Sequence, residues 1–226
     1  MCGRYALAFI HGFKTRFEVM DMQAKLEPRF NIAPTEQVPV VIGGDGNKSV
    51  DMRWGLIPFW AKDMKIGNRL INARGETIAT KPAFRAATKR RRCLIPATGF
   101  YEWKKTEAQK VPYYIHLKED TLFAFAGLYE RWKSPQNEEI LSCTIVTSKP
   151  NEMAAKLHNR MPVILTREQE RTWIKDGPLS ESELKEALTP FPAPQMEAHL
   201  VSTEVNNPRN EGEHLIESVL RAHAKL

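Results

Sequence analysis

Apolar residues along this chain gather in short runs, and few of them recur at helical spacing. Runs at Val38–Ile42, Asp51–Leu56, Arg92–Ile95, Tyr113–Leu117, Leu122–Tyr129, Leu141–Thr147 and Val163–Leu165 each predict a strand. Turn signals bound them: Gly43-Gly44-Asp45-Gly46, Ser134-Pro135-Gln136-Asn137 and Lys149-Pro150. Helical patterns are fewer. Thr166-Arg167-Glu168-Gln169 reads as a capping box, in which the Thr hydroxyl and the Gln side chain satisfy orphan backbone N–H groups, and predicts a helix through Trp173. Ser180-x-x-Glu183 starts another, and Phe13–Met22, Pro82–Lys89 and Asn151–Leu157 carry weaker helical patterns. Strands that do not alternate with helices argue against a doubly wound sheet. The pattern predicts a single α+β domain over residues 1–226, built on curved, mainly antiparallel, barrel-like sheets with peripheral helices.

Composition narrows the classes. A chain of 226 residues buries enough surface to need no disulfide or metal staple. Its hydrophobic fraction of 42% and charged fraction of 27% are those of an ordinary globular protein. No apolar run approaches the roughly 18 residues of a membrane helix. The start, MCGRYALAFIHGFK, lacks the basic region and cleavage site of a signal peptide, so a cytoplasmic protein is expected. Cys2, Cys93 and Cys143 are scattered with no C-x-x-C pair, and the six histidines are equally dispersed. Neither a metal site, a cofactor nor a disulfide framework is expected.

Charge adds one pointer. Between Arg53 and Lys105, thirteen Lys and Arg face three acids, a local net of +10, while the whole chain carries +6 and the remainder therefore −4. That asymmetry suits a polyanionic partner. A solvated basic face with an exposed run at Lys89-Arg90-Arg91-Arg92 explains it equally well.

The chemistry begins at the N-terminus. Met1 precedes a small residue, the usual condition for its removal, and the mature chain would then begin Cys2-Gly3-Arg4. A free α-amine and a thiol on adjacent carbons have reference pKa values of about 7.7–8.0 and 8.5, so both are usable nucleophiles near neutrality. Such a 1,2-aminothiol condenses with an aldehyde to a five-membered thiazolidine. By position alone, an incidental cysteine at a loose terminus is the simpler reading. Three polar segments shift the balance. Ile71-Asn72-Ala73-Arg74-Gly75-Glu76 places Asn, Arg and Glu at spacing two, on one side of an extended segment. Gly99-Phe100-Tyr101-Glu102-Trp103 sets one carboxylate among aromatics, where desolvation raises its pKa. In Leu157-His158-Asn159-Arg160-Met161-Pro162, His158 is a candidate acid or base.

Together these segments resemble the SOS response-associated peptidase (SRAP) family of abasic-site processing proteins. The resemblance runs through Met1–Tyr5, Arg29–Thr35, Trp54–Trp60, Asn72–Glu76, Cys93–Pro96, Gly99–Trp103, His158–Pro162 and Val205–Asn207. Phe59 stands where many members carry a second Trp, and Asn159 where Asp is common. The resemblance implies a covalent sensor of abasic sites in single-stranded DNA, acting in DNA damage tolerance and nucleoid-associated when bound; with no long tail at Ala222–Leu226 to recruit partners, a monomer is expected. Cys2 would be the nucleophile forming a thiazolidine crosslink, and Asn72 would hold its amine or the product. Glu102 would be the general acid/base, and His158 would assist opening of the deoxyribose ring. Arg4, Arg74 and Arg160 would clamp phosphates, Phe59, Trp60 and Trp103 would stack on bases, and Thr147 would add a supporting polar contact. For Trp103, core packing is nearly as good a reading, and Cys93 and Cys143 read as core. Weak lyase activity by β-elimination and self-catalysed removal of Met1 are side expectations. Two alternatives stay open: an N-terminal nucleophile cysteine peptidase or amidohydrolase, and a non-covalent single-stranded DNA-binding module.

Overall fold

The computed structural model of the chain describes residues 2–44, 46–119 and 121–219. In chain order the strands are β1 (Tyr5–Leu7), β2 (Val19–Met22), β3 (Arg29–Ile32), β4 (Gln37–Ile42), β5 (Asn47–Trp54), β6 (Asn72–Arg74) and β7 (Arg92–Ala97). They continue as β8 (Gly99–Lys105), β9 (Lys110–Leu117), β10 (Phe123–Lys133), β11 (Glu139–Ser148), β12 (Met161–Pro162), β13 (Ile164–Leu165) and β14 (Met196–Leu200). Short helices α1 (Phe13–Arg16), α2 (Arg85–Arg90), α3 (Arg167–Ile174) and α4 (Glu181–Ala187) lie between them. Strands β11, β10, β7, β4 and β5 pair antiparallel in that order, and a parallel β5–β11 pairing (Cys143 opposite Trp54) closes the five into a barrel. The second sheet, ordered β14-β9-β8-β1-β3, is antiparallel throughout. The α+β, barrel-containing architecture is therefore the expected one.

Strand parity explains how the two sheets meet. Cys93, Ile95, Phe123, Phe125, Cys143, Ile145, Val38, Val40, Met52 and Trp54 alternate along their strands and form one buried cluster. That cluster takes in Tyr5, Leu7, Phe100 and Ile115, so the second sheet packs on the barrel's core. Intervening residues such as Leu94, Ala126, Leu128 and Val146 are buried on the other face against Phe13, Phe84 and Trp173. Because both faces are covered, these strands read as continuous apolar runs instead of an alternation. At Gly127 a Cβ would sit 2.8 Å from the Cys93 sulfur, a contact that real Cβ atoms do not make. Outside the barrel, the Trp173 indole N–H lies 3.1 Å from the carbonyls of both Cys93 and Gly127, and docks α3.

Both capping boxes form as predicted, at Thr166 and Ser180. Other helical expectations change. Phe13–Met22 is not one helix: α1 ends at Arg16, Glu18 adopts φ 52°, and Val19–Met22 becomes a strand parallel to β5. A non-glycine residue in the left-handed region interrupts the helical ladder, and β-branched Val19 suits the sheet edge. In Pro82–Lys89 the helix starts only at Arg85, and Asn151–Leu157 yields a single 3₁₀ turn at Ala154–Lys156. The basic run divides as well. Lys89 and Arg90 are exposed, whereas Arg91 pairs with Glu130 at 2.8 Å. Arg92 is buried and donates to the Trp173, Lys175 and Gly177 carbonyls at the end of α3. Cys93 and Cys143 are core residues. The expected removal of Met1, the Asp45 position of the first turn and the terminal Ala222–Leu226 stretch lie outside the described residues. No helix among the described residues is long and apolar enough to cross a membrane, and none of their His, Cys, Asp and Glu side chains form a group of three suited to a metal.

Candidate active site

Pairing of β1 with β8 sets Tyr5 opposite Phe100, and the Tyr101 amide donates to the Arg4 carbonyl at 3.0 Å. This register carries the segment ahead of Tyr5 alongside Tyr101–Trp103. Strand β6 lies parallel to β11, with Asn72 opposite Ile145 and Arg74 opposite Thr147, and β12 folds back so that Pro162 also faces Thr147. The ends of β6, β8 and β11 and the 157–160 loop thus converge on the first residues of the chain.

Cys2 is fully buried there. The Asn72 side-chain amide donates to the Cys2 carbonyl at 2.7 Å, while the Asn72 Oδ1 atom is buried with no hydrogen-bond partner. Asn72 therefore grips the backbone of Cys2 through its Nδ2. Burial raises the Cys2 thiol well above its ordinary range, and the nearby Glu102 charge raises it further. Its sulfur lies 3.8 Å from the Arg4 carbonyl. A thiol near its reference pKa was expected; desolvation in the barrel-facing core keeps it protonated instead. Burial also lifts the Glu102 carboxyl above the carboxylate range, opposed by the charge of His158. The Arg160 amide donates to His158 Nδ1 at 3.0 Å, which leaves Nε2 to carry the proton of the neutral ring. One buried thiol, one carboxyl raised by burial and one imidazole whose Nδ1 accepts from the backbone share this corner.

The arginines differ in availability. Arg74 is exposed. Arg160 donates through Nη1 and Nη2 to the two Glu76 oxygens at 2.6 and 2.9 Å, and through Nη2 to the Thr147 carbonyl at 2.6 Å. Arg4 Nη1 donates to Asn31 Oδ1 and the Val205 carbonyl, both at 2.7 Å, and its guanidinium lies 6.0 Å from the Trp103 ring centre. Trp103 is half-buried and donates to Asn206 Oδ1 at 2.7 Å. Thr147 is fully buried behind Arg160. Phe59 and Trp60 are exposed, at 59% and 48%. Beside them a hollow of about 320 Å³ is lined by Trp60, Lys62, Lys65 and Arg69, among others.

Sequence spacing placed Asn72, Arg74 and Glu76 on one extended face. The strand in fact ends at Arg74, and Gly75–Thr77 forms a 3₁₀ turn that swings Glu76 onto Arg160. Asn31 escaped notice as a site residue: its side chain donates to the Asn207 and Asn210 carbonyls while accepting from Arg4. Its one signal was a polar residue inside the apolar Phe30-Asn31-Ile32 run.

The sequence model of the SOS response associated peptidase (SRAP) family matches residues 1–208. The abasic site processing protein YoqW of Bacillus subtilis is 44% identical over 96% of this chain and 100% of its own length. The abasic site processing protein HMCES of Xenopus tropicalis is 30% identical, over 89% of this chain and 69% of its own. A crystal structure of a Bacteroides thetaiotaomicron protein superposes with a TM-score of 0.88 at 28% identity, covering 96% of this chain and 100% of that one.

Proposed function

Because the chain belongs to the SOS response associated peptidase (SRAP) family, we propose that it processes abasic sites in DNA, with Cys2 linking covalently to the lesion in a single strand. The observation that carries the reading is the 2.7 Å bond from Asn72 to the Cys2 carbonyl. It pins the nucleophile's backbone in the same buried corner as Glu102 and His158.

Removal of Met1 gives Cys2 a free α-amine. His158 or Glu102 promotes opening of the abasic sugar to its aldehyde. The neutral amine adds to C1′, and loss of water gives an imine. The Cys2 sulfur then attacks the imine carbon, forming the C–S bond, while the thiol proton passes by way of Glu102 to the ring nitrogen. Aldehyde and aminothiol thus become thiazolidine and one water. Since burial keeps the thiol protonated, the step needs a base at the moment of attack, and the Glu102 carboxylate, its pKa raised by burial, accepts that proton and returns it. Asn72 Oδ1, buried and without a partner, suits an N–H of the amine or of the product ring. Holding the groups together supplies effective molarities of about 10⁵ M or more. Arg74 and the cations around Trp60 seat the flanking strand, and the chain acts as a monomer. The imine also permits β-elimination, hence weak lyase activity.

Mixing the Met-processed protein with an abasic single-stranded oligonucleotide should give a band that survives denaturation without borohydride. Cys2→Ala should abolish it; persistence of the same band in that variant sinks the thiazolidine reading. The family's description as a peptidase favours a second reading, in which the thiol attacks an amide with the α-amine as base. An acyl-enzyme of that kind is cleaved by hydroxylamine, whereas a thiazolidine survives it.

A further inference from the structure

We propose that Glu76 occupies the seat on Arg160 that a DNA backbone phosphate takes, so that any strand must exchange phosphate for carboxylate to bind; the proposal rests on the single-strand reading of this site. Both Nη atoms of Arg160 face the two Glu76 oxygens, at 2.6 and 2.9 Å. Carboxylate and phosphate present the same pair of acceptor oxygens to a guanidinium fork. Behind that edge the Thr147 carbonyl and hydroxyl hold Nη2, at 2.6 and 3.2 Å. Of the two partners Arg160 is the fixed one: its side chain is 13% exposed, against 46% for Glu76. Glu76 sits on the short turn that follows β6, at the solvent edge, so it is the group free to leave.

The consequence is a brake on binding. With Glu76 in place the Arg160 charge is offset, and an intact strand gains little attraction from that residue. Glu76 thereby lowers affinity for undamaged DNA and leaves selection of the lesion to the covalent step. Glu76→Gln keeps the shape and removes the competing charge.

The test uses a Cys2→Ala background, which removes covalent capture, and an undamaged oligothymidylate titrated by fluorescence anisotropy at several salt concentrations. Glu76→Gln should tighten binding about two- to fivefold at low salt, as for one freed surface charge. The slope of log Kd against log salt should steepen by about 0.7, one added phosphate contact on a single strand. Adding Arg160→Gln should erase the gain. Unchanged or weaker binding by folded Glu76→Gln overturns the proposal. Should that variant fold poorly, Glu76→Asp, which keeps the charge but reaches less far, should also tighten binding, and its failure to do so counts equally against it. No binding by the Cys2→Ala parent would overturn the single-strand reading itself, whereas binding indifferent to Glu76 overturns only this inference.

Discussion

At the scale of single residues, Glu102 is where the cost of burying an acid can be measured. Its carboxyl pKa is raised in the fold, chiefly by burial, so the folded state binds more protons than the unfolded one in the window just above the ordinary carboxylate value. Stability conferred by the neutral acid is complete below that ordinary value and is lost as pH rises toward the folded pKa. Glu102→Gln should therefore raise the melting temperature at pH 7–8 and leave it unchanged near pH 4, with about 2–4 °C for each kcal/mol recovered. The same variant should slow crosslinking about 100-fold or more, the low end for losing an acid–base group. Thermal melts across pH together with single-turnover crosslinking rates check both. A melting point lowered at neutral pH would mean that the ionised form stabilises the fold. Legibility at this scale was uneven. Cys2, Glu102 and His158 could be singled out because their segments hold unusual neighbours in sequence. The engagements of Arg4 with Asn31 and Val205 and of Arg160 with Glu76 could not, because they join residues 27 to 201 positions apart.

Among the elements, the apolar runs predicted the barrel strands well, since strands covered on both faces leave a continuous hydrophobic signature. Short strands such as β1 and β3 were not legible, because they are set by partners distant in sequence and carry no pattern of their own, whereas β6 was legible as an extended segment but not in its end at Arg74. Helix ends were legible only where the signal is local and chemical. Thr166 and Ser180 announce their helices through hydroxyl caps, whereas Phe13–Met22 had spacing alone and lost to edge pairing with β5. Two measurements probe this level. Thr166→Ala removes the acceptor for the Gln169 amide and should cost about 0.5–2 kcal/mol. Gly127→Ala forces a methyl against Cys93 and Ile95 inside the barrel and should cost about 1–3 kcal/mol. Chemical denaturation of both variants gives the comparison; a Gly127→Ala protein as stable as the parent would mean that the barrel interior has room that the geometry denies.

For the whole molecule, the +10 segment overstates the charge that a partner can feel. Arg53 is buried and donates to the Gly55 carbonyl and Asn68 Oδ1, Arg91 is held by Glu130, and Arg92 caps α3. Exposed cations remain at Lys62, Lys65 and Arg69, around a hollow that includes Trp60, with Arg69 three residues ahead of Asn72 and Arg74 just beyond it, and at Lys81, Arg85, Lys89, Arg90, Lys104 and Lys105. Composition alone cannot make this division, because a cation that braces the fold and one that awaits a phosphate are the same letter. The two kinds separate experimentally. Replacing Lys62, Lys65 and Arg69 together by Ala should flatten the salt dependence of single-strand binding by about two units of slope, at roughly 0.7 for each lost contact, with the melting temperature little changed. Replacing Arg92 by Ala should do the reverse, lowering the melting temperature through four carbonyls left without their donor while the salt slope stays put. If the triple variant binds with the parent's salt dependence, the strand does not run over the Trp60 hollow, and the electrostatic attraction must come from other exposed cations, Arg74 and those of β8 among them.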